Sequence, residues 1–121
     1  MAGTLKVGIA PRTAILRYTR EVATGRRRRE PDDPDVWFTS VESFAKILSE
    51  KNRDLLALIA ERQPDSIEEL ASVSGRAKSN LSRTLRTMER HGLVRLINGN
   101  GRKLRPVLTF NKVELRLKVA A

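Results

Sequence analysis

The sequence predicts an α+β fold that is mainly helical, and three observations carry that prediction. Apolar residues recur at helical spacing in five stretches between residues 12 and 90. After Gly92, and again near both ends of the chain, the period changes to the strict alternation of strands. Serine, glycine and proline mark the junctions where helices should start and stop. A length of 121 residues suits one domain with short extensions.

In order along the chain, Leu5, Val7 and Ile9 alternate with Lys6 and Gly8 as in a short strand. Pro11 then suits the first position of a helix over 12–23, where Ile15, Tyr18 and Val22 share a side and Gly25 follows the end. Residues 1–25 are thus a strand-helix extension, a dimerisation element. Arg26 to Arg29 and the acidic, proline-rich Glu30 to Asp35 cannot pack a core, which makes 26–36 a charged linker. Two capping boxes follow, Thr39-x-x-Glu42 and Ser66-x-x-Glu69, placing helix starts near 40 and 66. Phe44, Ile47 and Leu48 belong to the first helix. Leu55, Leu56, Ile59 and Ala60 form the stripe of a second that must stop before Pro64. Ser74-Gly75-Arg76 is a tight turn into a helix over 77–90, closed by His91-Gly92.

Beyond Gly92, Leu93 to Ile97 and Leu104 to Phe110 read as two strands joined by the basic, glycine-rich loop 98–103. Pro106 places the second of these at an edge, or with its proline outward. Val113, Leu115, Leu117 and Val119 alternate with Glu114, Arg116 and Lys118 in a final strand within 111–121. The terminal strands 5–9 and 113–119 each need a partner. They should pair with each other, within a protomer or across a homodimer, with helix 12–23 beside them.

Charge narrows the partners. The formal charge is +10, and it is unevenly spread: residues 1–29 carry +7, 30–75 carry −7 and 76–121 carry +10. A chain basic at both ends calls for a polyanion, nucleic acid before an anionic membrane surface. No run approaches the roughly 20 apolar residues of a membrane span, and the first residues lack the apolar core of a signal peptide, so a cytoplasmic location is expected. With no cysteine and one histidine, no thiolate metal site, disulfide framework or cysteine nucleophile can form, and no metal or cofactor is expected.

On the 77–90 helix, Ala77, Leu81, Leu85 and Met88 make an apolar face, and Ser79, Arg83, Arg86 and Arg90 lie opposite, flanked by Asn80, Ser82 and Thr87. Small polar groups and arginines are what a DNA major groove asks of a helix. A solvated charged face is the plain alternative. Against it, Arg76, Lys78 and Arg83 lie near the positive end of the helix dipole, where an acid would be more stable by roughly 0.3–1 kcal/mol.

The runs Ser66-Ile-Glu-Glu-Leu-Ala-Ser-Val-Ser-Gly75, Asn80-Leu-Ser-Arg-Thr-Leu85 and Glu89-Arg-His-Gly-Leu-Val94 resemble the winged helix-turn-helix of MarR-like transcriptional regulators. The resemblance covers about a third of the chain closely. It implies a winged helix-turn-helix domain over 37–110, with 67–73 the positioning helix, 77–90 the recognition helix and 98–103 the wing. The long terminal helices that build the dimer and enclose a ligand pocket in that family have no counterpart here. The chain is also similar to a smaller group of regulators held to act as antitoxins beside a toxin.

These readings converge on a sequence-specific regulator of double-stranded DNA, a homodimer and a repressor. Ser79, Asn80 and Arg83 would read base edges. Arg76, Lys78, Ser82, Arg86 and Arg90 would hold phosphates, while Arg102 and Lys103 would engage the minor groove. The rival reading is an antitoxin-type module that neutralises a toxin protein through the acidic 30–75 region or the terminal strands, binding DNA for autoregulation. Enzymatic activity is not expected. His91 has no nucleophile or second acid–base group at a telling spacing and reads as a helix C-terminal side chain. Gly99-x-Gly101 has no lysine-serine pair behind it and reads as a wing. Arg26 to Arg29 could serve as a DNA-backbone arm, an RNA contact or a solubilising run. Trp37, Phe38 and Phe44 read as core or staple residues, because a stacking platform for single strands needs more aromatics than 4%.

Overall fold

The computed structural model describes residues 3–99, 101 and 103–120. Among these the element order is β1 (Thr4–Ile9), α1 (Arg12–Ala23), β2 (Val36–Phe38), α2 (Val41–Ile47), α3 (Glu50–Arg62), α4 (Ile67–Ser74), α5 (Lys78–Arg90), β3 (Val94–Asn98), β4 (Leu104–Leu108) and β5 (Lys112–Arg116). Five helices and five strands among the described residues make a mixed fold of the expected α+β type. No helix there is long and apolar enough to cross a membrane.

The strands form two sheets. β3 and β4 are an antiparallel hairpin, and β1 is the middle of a three-stranded sheet of order β2-β1-β5. The two terminal strands pair within one chain, and they do so in parallel, with Leu5 beside Val113 and Val7 beside Leu115. β2 also runs parallel to β1, with Gly8 beside Trp37, so β1, α1 and β2 make a βαβ unit. Trp37 and Phe38, read from the sequence as core or staple residues without an element of their own, are therefore strand residues. Three residues are too few to show a period, and only pairing to β1 makes them a strand.

The charged segment between α1 and β2 is held against this sheet. The Lys6 amide donates to Asp35 Oδ2 at 2.9 Å, Tyr18 Oη donates to Asp33 Oδ2 at 3.0 Å, and Arg29 pairs with Asp35. Arg27 lies 4.8 Å over the Tyr18 ring. Burial, reinforced by the bond to Asp33, pushes the Tyr18 hydroxyl up. The backbone amide of Glu30 holds the Asp33 carboxyl below its ordinary range.

The main core lies beneath the helices. Leu55, Leu56 and Ile59 of α3, Ile67 and Leu70 of α4, and Leu81, Leu85 and Met88 of α5 meet Leu93, Val94, Leu108 and Phe110 from the hairpin side. Burying each such side chain contributes about 1.5–3 kcal/mol. Phe38 joins this body to the parallel sheet. Its ring stacks on His91 at 4.4 Å and meets Phe44 edge-on at 5.5 Å.

Local chemistry sets the helix ends, with one substitution of roles. Ser66 caps α4 by accepting from the Glu69 amide at 3.0 Å, and the Glu69 carboxylate reaches back to the Asp65 amide at 2.8 Å. At α2 the cap is Ser40, which accepts from the Ser43 amide, and not the expected Thr39 with Glu42. A serine one residue later has the same hydroxyl without the extra methyl, and it lies in extended backbone at the cap. α3 ends in Gln63 at φ 47°, forced out of the helix by Pro64, and Gly75 supplies the left-handed turn between α4 and α5.

Several boundaries differ from expectation, among them β3, which spans 94–98 rather than 93–97, and α4, which runs one residue further, to Ser74. α5 begins at Lys78, leaving Ala77 as an exposed cap outside the apolar face. β4 stops at Leu108, because Phe110 turns into the core. β5 spans 112–116 rather than 113–119, and its ladder with β1 ends at Gly8 and Arg116. Pro106 behaves as expected. It faces Leu96, whose amide points away to Glu89 Oε2 at 2.9 Å, so this is a pair without ladder bonds and the missing proline N–H leaves no gap.

Candidate nucleic-acid interface

α5 is the most strongly two-sided helix of the chain. Leu81, Leu85 and Met88 have no exposed surface, while Ser79, Arg83, Arg86 and Arg90 recur at i, i+4, i+7 and i+11 and are exposed. The buried face packs on α4 and β3, so the tight turn at Gly75 fixes how α5 is presented. Lys78 and Asn80 are also exposed, and Ser82 is half-buried at the edge of the face.

Not every cation there is equally available. Lys78 Nζ pairs with Glu68 Oε1 at 2.9 Å, and this contact, with Lys103 nearby, holds the Glu68 carboxyl below its ordinary range. Arg90 donates to Thr87 Oγ1 at 3.1 Å. Arg76 is the most committed. Its guanidinium donates to Asn80 Oδ1 at 3.0 Å and, at 3.4 Å each, to Thr84 Oγ1 and Asn52 Oδ1. Its Nε is buried without a hydrogen-bond partner among the described residues.

The N-terminus of α5, like that of α1, is unlike those of α2, α3 and α4. Those three have serine caps and a glutamate in the first turn, whereas α5 has neither a side-chain cap nor an acid there. Its first amides thus retain their pull on an anion.

The hairpin lies beyond the other end of α5. Glu89 ties it to the helix through the Leu96 amide, and Thr109 Oγ1 donates to Gly92 O at 2.9 Å. Lys103 is exposed where the second strand begins. Arg102 lies outside the described residues.

Three residues that the sequence did not single out belong to this surface. Ser43 and Lys46 of α2 line a cleft with Arg83, Thr84 and Thr87 of α5, and Asn52 of α3 holds Arg76. No spacing links residues 43–52 to residues 76–87; only the tertiary fold brings them to one cleft and one hydrogen bond. His91, by contrast, is stacked and half-buried, and burial together with the Arg90 charge holds its imidazole below the ordinary histidine range. No group of three or more metal-ligating side chains occurs among the described residues.

Chemically, the exposed face offers hydroxyl, amide and guanidinium donors on a rigid rod, suited to base edges or phosphate oxygens. The crystal structure of the M. tuberculosis transcriptional regulator MosR is similar to this chain, with 24% identity and a TM-score of 0.44 over 83% of this chain and 67% of that one. No curated protein matches the sequence. Residues 47–115, more than half of the chain and all of the helix-turn-helix and hairpin, match the HVO_A0114 family, and the chain belongs to that family.

Proposed function

We propose that this chain is a sequence-specific double-stranded DNA-binding regulator of transcription, a homodimeric repressor that lays α5 in the major groove and the hairpin loop at the adjacent minor groove. One observation carries the reading. The solvent face of α5 holds polar and cationic side chains apart from Glu89, whose carboxylate is engaged by the Leu96 amide, while three side chains without exposed surface lock the opposite face to the core. Such a helix presents its donors without a large ordering cost on binding.

In this reading Ser79, Asn80 and Arg83 touch base edges, and Lys78, Ser82, Arg86 and Arg90 hold phosphates. Arg76 acts chiefly by orienting Asn80, since its Nη1 and Nη2 groups are already engaged within the chain and its Nε is buried. Ser43 and Lys46 extend the phosphate track across α2. The uncapped first turn of α5 supports the same assignment, because a phosphate there would supply the missing negative charge.

The rival antitoxin reading relies on the acidic 30–75 region or the terminal strands. Within that region Asp33 and Asp35 are engaged by Arg27 and Arg29 of the same chain, which favours DNA contact by α5 as the main activity.

Selection of binding sites from genomic DNA, followed by footprinting, tests the proposal. A preferred duplex with two half-sites roughly one helical turn apart is expected. Equal affinity for random duplex competitor at physiological ionic strength would refute it.

A further inference from the structure

Among the described residues, β5 is paired along one edge only, the edge against β1. The apolar alternation continues past the end of that pairing, and it is exposed: Leu115 by 37%, Leu117 by 50% and Val119 by 91%. An open strand edge bearing apolar side chains is a liability unless something covers it. Beside the start of the same strand lies an apolar cleft, bounded by Leu56, Ala57 and Ala60 of α3 and by Phe110, Lys112 and Val113.

We propose that a second copy of this chain covers both features, its β5 pairing antiparallel with this β5 about a two-fold axis at Leu115. The proposal deepens the dimer part of the function proposed above and rests on that part alone, not on DNA contact.

Charge and apolar pairing together select the register: an axis at Val113 would also oppose unlike charges, Lys112 to Glu114 of the partner subunit, but would set Leu115 and Leu117 against Asn111 of the partner subunit and Thr109 of the partner subunit. In an antiparallel pair of identical strands, residues whose numbers share a constant sum stand opposite each other. Glu114 and Arg116 already pair within the strand at 3.0 Å, and centring on Leu115 sets Glu114 against Arg116 of the partner subunit and Arg116 against Glu114 of the partner subunit, so that the two pairs join in one alternating cluster of four charges. Moving the axis to Glu114 or to Arg116 puts that residue against its own copy, like charge on like. Moving it by half a residue sets Leu115 against a charged side chain and turns the apolar set to the wrong face. The chosen register leaves one like-charged pair, Lys112 with Lys118 of the partner subunit, at each solvent-exposed end.

The same register supplies an occupant for the cleft. Val113 stands opposite Leu117 of the partner subunit, and Asn111 opposite Val119 of the partner subunit. Directly opposed residues project to the same face. The two most exposed aliphatic side chains beyond β5 therefore meet the face of residues 111–113, where the cleft opens. The interface is self-complementary, as a two-fold requires.

The chain has no cysteine, so Leu115→Cys introduces a single thiol in the full-length protein. Leu115→Cys is expected to cross-link to a dimer under mild oxidation, because opposed strand residues lie within disulfide reach. Leu16→Cys, at a 50% exposed site on α1, is expected not to do so. By sedimentation at micromolar concentration the unaltered chain should be a dimer. Leu117→Asp and Ala57→Arg, both at exposed positions, should each raise its dissociation constant at least ~30-fold, with circular dichroism unchanged. A dimer that survives both substitutions, or that cross-links through Leu16→Cys and not Leu115→Cys, would place the interface elsewhere and overturn the proposal while leaving a dimer. A monomer for the unaltered chain would remove the dimer itself, with the DNA reading still to be judged by site selection.

Discussion

Arg76 Nη2 donates to Asn80 Oδ1 at 3.0 Å, tying the turn before α5 to the first exposed amide side chain on the helix. Asn80 can pair with a base only as this bond lets it turn, so the guanidinium four residues earlier sets its direction. Asn52, from α3, steadies the same group from the other side.

Arg76→Lys keeps the charge and loses the planar fork. It should lower stability by about 1–2 kcal/mol in urea denaturation, the scale of lost charged hydrogen bonds. It should also weaken binding to the selected duplex while leaving the salt slope nearly unchanged. A lysine variant that binds as well as the parent would make Arg76 a simple phosphate contact.

Arg83 and Lys103 should fail differently. Arg83→Ala should relax preference at one or two base pairs by roughly 1–3 kcal/mol, as expected for a side chain reading a base edge. Lys103→Ala should weaken all duplexes alike and reduce the slope of log affinity against log salt by about 0.9. Titrations of both variants at several salt concentrations measure the two effects, and equal behaviour would break the division of roles.

Stability should depend on pH through His91. Its imidazole, stacked on Phe38, is held below the ordinary value of about 6.5 that it regains on unfolding. Above about pH 7.5 both states carry the neutral ring and this contribution is complete. As pH falls through the unfolded value, the unfolded chain takes up a proton that the folded one refuses, so stability drops until the depressed folded value is reached. Denaturant unfolding between pH 7.5 and 5.5 should show the decline, and His91→Phe, which keeps a flat ring against Phe38, should flatten it.

Gly8→Ala tests how the parallel sheet is closed. A Cβ at this position would lie 2.6 Å from Pro34 Cγ and 2.8 Å from Trp37 Cζ3, closer than carbon atoms approach. Trp37 is itself packed against Tyr18, with ring centroids 5.5 Å apart, so it cannot simply move aside. A loss of about 1–3 kcal/mol is expected by thermal or urea unfolding. An unchanged midpoint would mean that β2 and the charged segment are not tightly docked.

Much of the helical body was legible because its signals are local. The α5 faces follow from one residue every hundred degrees, and the ends of α3, α4 and α5 follow from Pro64, Gly75 and Gly92, whose backbone preferences act within a turn. The Ser66–Glu69 cap is local in the same way, whereas Thr39 and Ser40 are adjacent hydroxyls that the local pattern does not distinguish as caps of α2.

The sequence by itself determined which segments are helical, which face of α5 meets solvent and that the surface is cationic, since each depends on residues a few positions apart. The tertiary structure alone decided that β1 and β5 run parallel in one chain, that Val36–Phe38 is a strand, and that Asn52, Ser43 and Lys46 join the α5 surface. Those contacts close loops of 24 to 108 residues, and their energy comes from pairing and packing between distant segments, for which no short period in the chain exists.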